Sequence, residues 1–135
     1  MPRAVGPTYI KTVGQSVTGD LTALTNVAQN VNLEPGELHS WSLDNPGAKA
    51  YLRIYAVTAA NVTMASTAPF QQFQLYANQL NNPPVGFIPQ NIGNFGGWSI
   101  AATGEAFDGV LATAPTGSIT GNVQYKEFKR QGLGG

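Results

Sequence analysis

Residues 35–58 read Pro35-Gly36-Glu37-Leu38-His39-Ser40-Trp41-Ser42-Leu43-Asp44-Asn45-Pro46-Gly47-Ala48-Lys49-Ala50-Tyr51-Leu52-Arg53-Ile54-Tyr55-Ala56-Val57-Thr58. A Pro-Gly turn opens the stretch, Asn45-Pro46-Gly47 breaks it in the middle, and the run on either side of the break alternates. In the first run His39, Trp41 and Leu43 fall on one face, with Leu38, Ser40 and Ser42 on the other. In the second, Leu52, Ile54 and Ala56 oppose Tyr51, Arg53, Tyr55 and Val57. Large side chains on both faces mark a strand inside a sheet rather than at its edge. Two strands separated by a tight break make this a β protein.

The same period recurs further out. Residues 70–77 set Phe73 and Leu75 against Phe70 and Tyr76, with glutamines at 71, 72 and 74. Residues 98–103 place Trp98, Ile100 and Ala102 on one side, and residues 118–128 alternate Ile119, Val123 and Tyr125 with Thr120, Asn122, Gln124 and Lys126. The stretch from 20 to 34 fits two periods. Leu21, Leu24, Val27 and Val31 have helical spacing, yet the intervening Thr and Asn favour extended chain, so a strand is expected at 26–34. Residues 78–97 are so rich in Asn, Pro and Gly that only a short strand at 85–88 is expected, and 107–112 read as a weak strand or loop. About seven or eight short strands at roughly 10-residue spacing predict an all-β, antiparallel β-sandwich or jelly roll.

A chain of 135 residues and 14.2 kDa is one ordinary domain. Residues 1–19, with Pro2, Pro7, Gly14 and Gly19, read as an extended N-terminal arm, 20–128 as the sandwich, and 129–135, ending Gly-Leu-Gly-Gly, as a flexible tail. Charged residues make up 10%, against about a quarter in typical domains, and the net charge is +0. Such a chain has little charge to keep copies apart, so a homotrimer or homodimer is expected. There is no apolar leader behind Arg3 and no membrane-length apolar run, which predicts synthesis in a cytoplasm and no membrane partner.

The side chains that could carry chemistry are few. Cysteine is absent, which excludes disulfides, thiolate nucleophiles and Cys-ligated metals. His39 is the only histidine and sits in an alternating strand, so it reads as structural. Lys11, Lys49, Lys126 and Lys129 lie in the arm, beside a turn or near the C-terminus, with no Gly-x-Ser-x-Gly elbow to pair with. Glu105 and Asp108 are the carboxylates closest to a glycosidase-like pair, but Gly104-Glu105-Ala106-Phe107-Asp108-Gly109 reads as a solvated loop without calcium-ligand spacing. The run Gly93-Asn94-Phe95-Gly96-Gly97 lacks the Lys and the helix of a phosphate loop, and Asn61-Val62-Thr63 would be a glycosylation site only on a secreted chain. Trp41, Tyr51, Tyr55, Phe70, Phe73, Tyr76, Trp98 and Tyr125 could stack sugars, though at period two they read as core and cross-strand pairs. Lys126, Lys129 and Arg130 are interrupted by Glu127 and make no nucleic-acid groove. The expectation is no enzyme, no catalytic, cofactor or metal residue, and no nucleic-acid partner.

The run 35–45, followed by Tyr51-Leu52-Arg53-Ile54-Tyr55, then Ser99-Ile100-Ala101-Ala102-Thr103-Gly104 and a closing strand ending in Tyr125, resembles small β-sandwich structural proteins of tailed bacteriophages. The resemblance covers residues 35–125 and departs in the Pro- and Asn-rich stretch 78–97. It implies a virion component, foremost a capsid cement or decoration protein bound to the major capsid protein on the head exterior. Its alternatives are a head-fibre, neck or tail component, or a carbohydrate-binding jelly roll for host recognition.

Overall fold

The computed structural model describes residues 9–11, 17–92 and 96–130. Ten strands run in chain order: β1 Tyr9–Lys11, β2 Val17–Leu24, β3 Gln29–Asn32, β4 Gly36–Asn45, β5 Ala50–Tyr55, β6 Gln71–Leu75, β7 Gln79–Asn81, β8 Gln90–Ile92, β9 Trp98–Thr103 and β10 Ile119–Arg130. Sheet one carries β2 and β1 along one side of β10, β4 along the other, and β7 and β8 on the far side of β4. Sheet two has the order β3-β9-β5-β6. Every pairing is antiparallel. From β2 onward the chain keeps crossing between sheets and staying only for β5-β6 and β7-β8, which is the double Greek key of a jelly roll.

The core lies between the sheets and is closed by two tryptophans that reach in opposite directions. Trp41 of sheet one packs on Phe73 of sheet two, with ring centroids 4.6 Å apart. Trp98 of sheet two meets Tyr125 of sheet one edge-on at 5.6 Å. Leu24, Leu38, Leu43, Leu52, Ile54, Leu75, Ile92, Ile100, Ile119 and Val123 fill the space between them. β5 is central, as its two large faces required, and all of β9 is buried.

Several expectations are corrected by the structure. Leu38 was placed opposite Trp41, yet both are core residues, because a bulge at His39 lets Tyr125 pair with Leu38 while Gln124 pairs with Ser40. The expected strand at 26–34 shortens to β3, and an eight-residue strand, β2, precedes it. Residues 85–88 form no strand. Phe87 N–H donates to Pro84 O at 3.0 Å and Gly86 has φ 87°, which is a type II turn, with the strands β7 and β8 on either side. Of the two forms expected for residues 107–112, weak strand or loop, the chain takes the loop. Of the expected arm, residues 9–11 and 17–19 run in sheet one beside β10, so only 1–8 and 12–16 remain, and these lie outside the described residues. The tail loses 129–130 to β10, with 131–135 also outside the described residues.

Two of the buried phenols make alkaline stability measurable. Burial raises the pKa of Tyr55, opposed in part by Arg53, and burial with the nearby Glu127 charge raises that of Tyr125. The fold favours the neutral phenol, whereas the unfolded chain ionises near pH of about 10. Stability is therefore expected to be level below that value and to fall as pH rises through it. Urea unfolding at successive pH values checks this, and Tyr55→Phe should flatten the decline.

Candidate functional site

Each side chain singled out from the sequence has a definite place. His39 is the extra residue of the β4 bulge, and its Nε2 lies 2.7 Å from Glu37 Oε1. Glu37 is 6% exposed and stands in register with Lys126 on one side and Asn91 on the other. Among the described residues no group of three or more His, Asp or Glu is gathered as a metal site would need, and no helix is long and apolar enough to cross a membrane.

Glu105 and Asp108 are more than solvated loop residues. Asp108 Oδ1 accepts the N–H groups of Val110 at 2.7 Å and Leu111 at 2.9 Å, which holds its carboxyl below the usual carboxylate range. Glu105 accepts the Thr113 N–H and hydroxyl and approaches Arg53 Nη2 at 3.5 Å. The guanidinium of Arg53 is wholly buried on the outer face of sheet two. It donates to Met64 O at 3.2 Å, Glu105 O at 3.1 Å and Leu111 O at 3.5 Å, and lies 5.4 Å from the Phe107 ring. One cation thus anchors two loops, 59–70 and 104–118, to the strand beneath them. Sequence reading found Arg53 only as one large outward residue, because its partners are backbone carbonyls, which no residue type announces.

The aromatics divide sharply. Trp41, Tyr55, Trp98 and Tyr125 are buried, and Phe87 joins Trp41 and Phe73 at 5.2 and 5.8 Å. Phe70 and Tyr76 are the aromatics in the set that are exposed, at 46% and 56%. A sugar-stacking platform would rest on these two. A cleft of about 130 Å³ opens between the sheets where β6 and β7 end them, lined by Trp41, Phe73, Gln74, Tyr76, Asn82 and Pro84. A second, of about 230 Å³, lies between the end of β2 and residues 114–118. Neither lining includes an ionisable side chain other than the Tyr76 phenol, so what they offer is shape and apolar surface.

Phe70, Tyr76, Leu80, Val85 and Ile88 are exposed in residues 70–88, beside the exposed Gln74, Asn78, Gln79 and Asn82. Val85 is presented fully to solvent at the tip of the type II turn, where Gly86 supplies the positive φ. From Ile54 to Gly104 the chain contains no Asp, Glu, Lys, Arg or His, so nothing charged interrupts this flank in sequence. Across the sheet Leu80 pairs with the exposed Asp44, and further exposed apolar side chains, Val27, Leu33, Val110 and Leu111, lie in other segments. In sheet one the register Tyr9↔Arg130, Ile10↔Lys129, Lys11↔Phe128 places residues 9–11 beside 128–130 at one end of β10. No family model, no curated protein and no solved structure matches the chain.

Proposed function

We infer that this protein acts by binding and not by turnover, as a structural subunit of a tailed-phage virion, foremost a cement or decoration protein on the exterior of the head. The observation that carries the reading is the run of exposed apolar side chains Tyr76, Leu80, Val85 and Ile88, in a stretch of sequence without charged residues, on a tightly packed jelly roll. A cement protein needs a rigid body and a contact surface that works by area and shape. The resemblance over residues 35–125 supports the virion setting, and its motif residues Trp41, Leu43, Leu52, Tyr55, Ala101 and Tyr125 are core here. They therefore argue for the sandwich, while the flank supplies the attachment surface.

A subunit that binds the assembled shell and not its free building blocks stabilises the shell by mass action. Particles lacking the protein are accordingly expected to assemble but to release DNA at lower temperature. Val85→Asp and Ile88→Asp alter exposed positions, so the isolated variants should melt as the parent does. Their occupancy on particles should fall about tenfold, since desolvating a carboxylate at a dry contact costs more than 1.4 kcal/mol. Full heat resistance of stripped particles would defeat the cement reading, and a copy number near six or twelve would move the protein to the neck or tail. Undiminished occupancy of both variants would remove the flank as the attachment surface.

A further inference from the structure

The edges of the two sheets are guarded unequally. Edge strands are normally kept from pairing with other chains by charge, proline, bulges or brevity. β7 and β8 are three residues each, as is β1. β3 has a register shift between Asn30 and Asn32, and β2 has a register shift and Asp20. β6 has none of these devices. Its sequence is Gln-Gln-Phe-Gln-Leu, it pairs with β5 one to one from Gln71↔Ile54 to Leu75↔Ala50, and among the described residues no strand lies on its other side.

We propose that β6 is the self-association edge of this protein, and that two copies pair β6 to β6 antiparallel about a two-fold axis at Phe73. The strand is complementary to itself in this register. Phe73 meets its own copy, Gln72 faces Gln74, Gln71 faces Leu75, and just beyond the strand the exposed Phe70 faces the exposed Tyr76. The two exposed aromatics that flank β6 thus gain an aromatic cross-strand neighbour, a favoured pairing on a sheet. The two sheets of order β3-β9-β5-β6 become one continuous sheet of eight strands, and an isologous contact of this kind closes at two copies. The strand itself carries no charge, since none occurs between Ile54 and Gly104. This proposal concerns the free protein and stands whether or not the virion reading does.

The test uses the full chain, which has no cysteine of its own. Sedimentation at micromolar concentration should give a dimer. Gln74→Lys puts a cation on an exposed edge position and its copy across the axis, and should raise the dissociation constant at least about tenfold while leaving the circular dichroism, and the melting temperature at concentrations where both proteins are monomeric, unchanged. Register is tested by oxidising Phe70→Cys and Tyr76→Cys chains, separately and mixed. Only the mixture should form the disulfide, because like positions lie about 20 Å apart in this register, six residues at 3.3 Å each. A monomer or trimer, a Gln74→Lys dimer of parental strength, self-linking of either cysteine variant, or a mixture that does not link would each overturn the proposal.

Discussion

Replacing Arg53 by methionine should lower the unfolding free energy by about 3–5 kcal/mol, since two hydrogen bonds from a charged donor are lost at about 1.5 kcal/mol or somewhat more each and the long one to Leu111 O, at 3.5 Å, adds less. Exchanging a buried ion for an apolar side chain of similar size is often harmless when its partner is exchanged too. That route is closed here, because the acceptors are the backbone carbonyls of Met64, Glu105 and Leu111, which no substitution removes. The guanidinium is fully buried, so solvent does not soften the loss. Lysine should be nearly as poor a replacement, since a single ammonium cannot span two loops as the planar fork does. Glu105→Gln is the control. Its carboxylate is a quarter exposed and 3.5 Å from Arg53 Nη2, and the Glu105 carbonyl stays in place, so the cost should be under about 1 kcal/mol. Urea unfolding measures both, and limited proteolysis within 59–70 and 104–118 should quicken for Arg53→Met alone. A loss below about 1 kcal/mol for Arg53→Met would mean that the loops hold without their cation.

Arg53 also marks where sequence reading stops. The alternation around Trp41, Leu52, Ile100 and Val123 depends only on each strand having a wet or dry face, so those elements and the sandwich they form could be read directly. Features set by the partner strand were not visible. The bulge that turns Leu38 inward arises from the pairing with Gln124 and Tyr125, which lie more than eighty residues further along the chain. β7 and β8 are three-residue strands that exist because β4 offers an edge at each end, and so short a run has no period to detect. The buried Asn81 shows the same limit. It reads as a loop residue, yet its side chain accepts the Tyr76 N–H at 2.8 Å and donates to Tyr76 O and Gln79 O, closing the corner between β6 and β7. The surface flank was legible in composition as a scarcity of charge, but its position on one side of the molecule follows from β6 and β7 ending the two sheets on that side.

Trp41→Ala is the core substitution with the largest expected effect, about 3–5 kcal/mol, which is a large share of the 5–15 kcal/mol that holds a typical domain together. Trp41 is 1% exposed and touches three parts of the fold at once: its own sheet one, Phe73 of sheet two, and Phe87 of the loop between β7 and β8. Truncation leaves a void beneath that loop and beside the 130 Å³ cleft, so the hole opens towards solvent and the loop loses its ring contact. Trp41→Phe should be far milder. It keeps a ring against Phe73 and Phe87, and it removes an indole N–H that is buried without an acceptor among the described residues. The contrast with Trp98 locates the effect. Trp98→Ala should cost about as much, because that ring is equally buried, but its ring partner is Tyr125 on the far side of the core. Both alanine variants should thus unfold at a lower denaturant concentration, while hydrogen exchange at the Phe87 amide, whose bond to Pro84 O closes the turn, should quicken only in Trp41→Ala. If that amide exchanges equally in both variants, Trp41 is a core residue and nothing more. If it quickens in Trp41→Ala alone, the same indole that joins the two sheets also fixes the turn that presents Val85.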